Sequence, residues 1–169
     1  VVSARHYVLS AAYAAAYDPA TWGRRAPAGP LEEARQRSAT RQARQVTLRL
    51  PSNTTLIGVR SGAGFANGML VADGVEQLIL RHLHFSDAYD HFPAWDPLDG
   101  SQGEWNSEYD NLRLRSARWV WVDHCRFDDG ARPDTLEPVV FGRRVQRHDG
   151  LLDVTHGADR ITLSWNHFR

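Results

Sequence analysis

Two aspartates, Asp149 and Asp153, stand four residues apart in HDGLLDV at the entrance of an apolar segment. In an extended chain that spacing puts both side chains on one face, where two carboxylates can share one hard cation. Asp110, in SEYDN, enters an equivalent segment one repeat earlier, so stacked repeats are expected to bring it beside Asp149 or Asp153. Taken singly, an aspartate at a strand boundary more often serves a turn or faces water. Asp123 and His124, in WVDHC, form a second titratable pair with the makings of a general base. Alternation along a strand tucks at least one of them inward, where partners on neighbouring segments would satisfy it, and this favours a structural role. Cys125, the only cysteine, excludes an intramolecular disulfide and reads as a small apolar filler.

The elements that must position these groups are short strands. From Val46 onward the chain runs through VTLRL, TTLIGV, MLVA, QLILRHLHF, NLRLR, WVWVDHCRF, LLDV and ITLSWNHF, separated by Gly, Asn and Asp. Three of these share a template. GVEQLILRHLHF begins at Gly74, SARWVWVDHCRF at Ser116 and GADRITLSWNHF at Gly157, a period of 42 and then 41 residues. A repeat of that length is the signature of a solenoid, with Leu78, Val120 and Ile161 in one internal ladder and Phe85, Phe127 and Phe168 in another. An antiparallel sandwich also yields short alternating strands, but it does not call for a shared template. Two polar loops, 86–110 and 128–149, interrupt the strands and exceed ordinary connection lengths. Residues 1–45 form an irregular and helical segment, in which LEEARQRSATRQARQ carries a helical spacing of charge.

The whole is read as one partial domain, with coils over 46–169. Twenty basic and twenty acidic side chains cancel, which removes the broad electrostatic case for nucleic acid or an anionic membrane. No apolar run is long enough to span a bilayer. The opening VVSARHYVLSAAYAAAY carries His6 and tyrosines, lacks a basic start, and is not read as an intact signal peptide.

NTTLIGV, WVWVDHCRF and HDGLLDVTHGADRITLSWNHF, in that order, together resemble the signature of the family 1 pectate lyases. YDPATWG, PLEEARQRSA, FPAWDPLDG and EWNSEYDN add to the resemblance, which covers nearly the whole chain. It implies an all-β fold, the right-handed parallel β-helix, and a secreted enzyme that cleaves polygalacturonate in pectin by β-elimination. It implies a Ca²⁺ cofactor with Asp110, Asp149 and Asp153 as primary ligands. Asp99, in DPLDG, matches a position that helps some relatives bind a further calcium once substrate is present; an Asp-Gly turn residue is the plain alternative. Trp95, Trp105, Trp119, Trp121 and Tyr109 offer faces for sugar stacking, although alternation requires Trp119 or Trp121 to enter the core.

The chain departs from the family pattern after NHF, where relatives continue into a His-Asp-Lys motif and then an Arg-x-Pro-Arg region that supplies the catalytic base. None of these follows Arg169, and the usual opening strand before YDPATWG is missing too. The expectation is therefore a β-helix incomplete at its C-terminal end, with calcium ligands but no catalytic residue, and inactive alone. A missing C-terminal half or a second copy of the chain would cover the open end. Two other readings are a calcium- and acidic-glycan-binding fragment without catalysis, and a purely structural fragment. Pectin lyase is disfavoured because those relatives replace the carboxylates retained here.

Overall fold

The computed structural model describes residues 10–169, so His6 and the start of the Ala-rich segment lie outside the described residues. Three helices come first: α1 (Ala11–Ala16), α2 (Pro19–Trp22) and α3 (Pro30–Val46). Ser10 caps α1 by accepting the Tyr13 amide, and Asp18 caps α2 ahead of Pro19 at its first position. In α3, Glu32 and Glu33 occupy the first turn and Arg44 the last, matching the helix dipole.

Strands then follow in coils. The first coil holds β1 (Thr47–Arg49), β2 (Thr54–Ile57) and β3 (Gly64–Ala66); the second holds β4 (Met69–Asp73), β5 (Glu76–Arg81) and β6 (His84–Ser86). A hairpin of β7 (Ala94–Asp96) and β8 (Glu104–Asn106) intervenes before the third coil, β9 (Leu112–Arg115), β10 (Arg118–Asp123) and β11 (Arg126–Asp128). The second long loop carries a short 3₁₀ turn, Asp134–Leu136, and a hairpin of β12 (Val139–Val140) and β13 (Arg143–Arg144). The fourth coil is β14 (Leu152–Thr155), β15 (Asp159–Ser164) and β16 (His167–Phe168).

Equivalent strands stack in parallel into three sheets, β1-β4-β9-β14, β2-β5-β10-β15 and β3-β6-β11-β16. This is a right-handed parallel β-helix. The register places Leu78, Val120 and Ile161 opposite one another, and Phe65, Phe85, Phe127 and Phe168 likewise. Rings of the last three lie nearly parallel, with centroids 4.8 and 5.0 Å apart. Leu70, Ala72, Leu80, Leu112, Leu114 and Val122 complete the interior, with Cys125 buried among them.

The chain separates into two compact units. One comprises Val46–Tyr89, Tyr109–Arg132 and Gly150–Arg169, which are the coils. The other comprises the described residues up to Gln45 together with Asp90–Glu108 and Pro133–Asp149. Its own core contains Tyr13, Tyr17, Phe92, Trp95, Trp105 and Val145. There Arg35 and Glu32 form a buried pair, Tyr13 donates to Glu32, and Arg35 also donates to the Phe92 carbonyl. Burial pushes the Asp90 carboxyl upward, although the Phe92 and Glu108 amides and then Arg35 and Arg147 oppose the shift.

Candidate metal centre on the β9 and β14 strands

Strand β9 pairs with β14 so that Arg113 lies opposite Asp153, on the outward face, while Leu112 and Leu114 lie opposite Leu152 and Val154 on the inward one. Asp110, two residues before β9, is fully buried. One of its oxygens, Oδ2, accepts from Arg113 Nε at 2.8 Å; the other, Oδ1, accepts the Gly150 amide at 3.0 Å. A carboxylate removed from water needs such donors, and these fix its orientation.

Gly150 decides what that orientation is for. A Cβ at this position would meet Asp153 Oδ1 at 2.7 Å and Asp110 Oδ1 at 2.9 Å. Two carboxylate oxygens from successive coils thus converge on a point that only glycine leaves open. The donors are hard oxygens with no thiolate or imidazole, the chemistry that suits calcium. Among the described residues no three His, Cys, Asp or Glu side chains converge as a metal-binding group. The pair therefore fits part of a calcium shell, whose six to eight oxygens would be completed by other ligands.

Asp149 is exposed and immediately precedes Gly150. Strand β14 begins only at Leu152, so the one-face argument from an extended run applies to Asp153 and not to Asp149. Asp99 is exposed between β7 and β8, where its carbonyl accepts the Gly103 amide, the geometry of a turn residue. It belongs to the non-coil unit, as does Asp149.

Asp123 is buried and accepts from Ser164 Oγ (2.6 Å), Arg81 Nε (2.8 Å) and His124 Nδ1 (2.8 Å). Its carboxyl is held down to about 2, by the Ser164 hydrogen bond first and then by His124 and Arg81. Asp123 is thus satisfied by partners on the neighbouring coils. Trp119 and Trp121, two residues apart, share the outward face and are both exposed, while Val120 and Val122 fill the inward one, so neither tryptophan enters the core. Trp95, Trp105 and Tyr109 are buried, which removes them as sugar platforms.

The stacked parallel strands define the class, that of the parallel β-helix proteins, and comparison with known proteins gives the family. The pectate lyase family profile matches residues 29–169. A pectate lyase of Bacillus subtilis (strain 168) is 46% identical over 156 residues, covering 92% of this chain and 37% of that protein. Pectate lyase E of Dickeya chrysanthemi is 40% identical over 119 residues, 70% of this chain and 30% of that protein. Among solved structures, a pectate lyase bound to a hexasaccharide superposes with a TM-score of 0.90 at 43% identity, covering 97% of this chain and 41% of that one. One from Acidovorax avenae subsp citrulli gives 0.89 at 41% identity, covering 93% and 36%. This chain belongs to the pectate lyase family, and it spans less than half the length of these relatives.

Proposed function

We propose that the chain carries the calcium-binding part of a pectate lyase that acts on polygalacturonate by β-elimination, in an extracellular setting. The observation that carries this reading is the convergence of Asp110 and Asp153 on Gly150. These two aspartates would hold the ion, with Asp149, the chain neighbour of Gly150, as a third ligand, and Asp99 would help to bind a further ion only once substrate is present. Calcium bound there would draw electron density from a uronate carboxylate and so acidify the adjacent C5 proton. Arg113 orients Asp110, and Gly150 keeps the approach open. No residue of this chain is assigned as the base, so the 169 residues alone are expected to bind substrate without turning it over.

The open interior of the fourth coil supports a covering partner. Val154, Leu163 and Phe168 sit in register with buried positions of the third coil, yet they are 42, 44 and 46% exposed. A complementary C-terminal segment or a second copy would bury them. The test is absorbance of unsaturated uronate on polygalacturonate with calcium. The chain alone should give no signal, and full-length turnover should fall when Asp153 is replaced. Turnover by the chain alone on the order of 1 s⁻¹ would place a base within these residues.

A further inference from the structure

A groove of about 680 Å³ runs along the corner between the second and third sheets, lined by Arg60, His82, His84, His124, Arg126 and His167 among others. The register explains the crowding of imidazoles. His82 donates its amide to the Asp123 carbonyl and His124 to the Ser164 carbonyl, so the two occupy one position on successive coils. Both adopt left-handed backbone, φ 53° and 50°, and their rings lie 5.2 Å apart. One coil earlier the equivalent residue is Gly58, where a Cβ would strike the His82 carbonyl oxygen at 2.0 Å. No side chain can stand there, so the groove stays open beside His82. The second wall is another ladder, His84, Arg126 and His167, in register on β6, β11 and β16.

The charge of this groove is one-sided. Asp123 is committed to Arg81, Ser164 and His124, and Asp128 to His84, Arg126 and the Gly130 amide. Arg60, His82 and His167 make no ion pair among the described residues. Asp123 takes Nδ1 of His124, which turns Nε2 toward solvent on a half-exposed ring. Donors without acceptors, in a groove of sugar-ring size, call for an anion.

We propose that this corner is a second binding site, separate from the Asp110–Asp153 pair, for the carboxylate of an acidic sugar in an oligouronide. The choice of uronate rests on the function proposed above; the call for an anion does not. Arg60 supplies a permanent charge, and the His82 and His124 rings stand beside it on the same face of the groove. The remaining groups facing the groove, His84, Arg126 and His167, reinforce that sign, since Asp123 and Asp128 are already neutralised locally.

The test is a titration of histidine-ring NMR signals with trigalacturonate in EDTA, where calcium contributes nothing. Single replacements His82→Gln and His124→Gln assign the signals. Both rings should shift saturably as trigalacturonate is added. Arg60→Gln, an exposed change, should weaken binding severalfold while leaving the melting temperature unchanged, and Asp153→Asn should leave binding intact. A neutral galactose trimer should give no shift. The proposal is overturned if trigalacturonate produces no saturable shift, if inorganic phosphate competes as well as the sugar acid does, or if Asp153→Asn abolishes binding while Arg60→Gln does not. Loss of calcium binding elsewhere would overturn the lyase reading and leave this result untouched.

Discussion

A carboxylate as deeply buried as Asp110 is costly unless its donors are fixed, and here they are Arg113 and the Gly150 amide. The geometry makes Gly150 as specific as the aspartates. Gly150→Ala would force a Cβ against two carboxylate oxygens and is expected to weaken calcium binding by about ten- to a hundredfold, the range seen when the support of a metal ligand is disturbed. Calorimetry at constant pH reads this directly, with a thermal melt to confirm folding. The spacing in the sequence pointed to Asp149 and Asp153, and the repeat to Asp110 beside one or the other; that Asp153 is the one beside Asp110 was not legible. Gly150 was not legible, because a glycine in a polar loop carries no mark of which oxygens approach it. At Asp123 the sign of the pH effect follows from the lowered carboxyl. Its stabilising contribution is complete above the unfolded value near 4 and is lost as pH falls toward about 2. Asp123→Asn should therefore lower stability at pH 5 to 7, and its deficit relative to the unsubstituted chain should narrow between pH 4 and 2 in denaturant titrations.

At the scale of the elements, the internal ladders were legible to the residue. Leu78, Val120 and Ile161 align, as do Phe85, Phe127 and Phe168, because a shared template fixes register when coils stack. No tryptophan enters the core, because Trp119 and Trp121 stand two residues apart and alternation gives both the outward face, with Val120 and Val122 inward. The hairpins in the two long loops were missed. Their short strands, Ala94–Asp96 with Glu104–Asn106 and Val139–Val140 with Arg143–Arg144, carry too few alternating residues to be read. The phenylalanine stack supplies a graded prediction. Phe127 is fully buried between two rings, so Phe127→Ala should cost roughly 3–5 kcal/mol in urea unfolding. Phe168→Ala should cost clearly less in this chain, because its ring is half exposed. Equal costs would mean that the fourth coil is covered in solution.

For the molecule as a whole, the same exposed row of Val154, Leu163 and Phe168 predicts concentration-dependent self-association of the 169-residue chain. Sedimentation velocity across a range of concentrations would check it, and a monomer at all concentrations would contradict it. Among the described residues no helix is long and apolar enough to cross a membrane. The proposed calcium site rests on aspartates contributed from separate coils, Asp110 and Asp153. The most direct measurement is a calorimetric calcium titration of the chain without substrate, repeated on Asp153→Asn and Asp99→Asn. Binding is expected at a dissociation constant of about 10⁻⁴ to 10⁻³ M, as befits few protein ligands, lost on Asp153→Asn and unchanged on Asp99→Asn. No binding heat, or binding that survives Asp153→Asn, would contradict it.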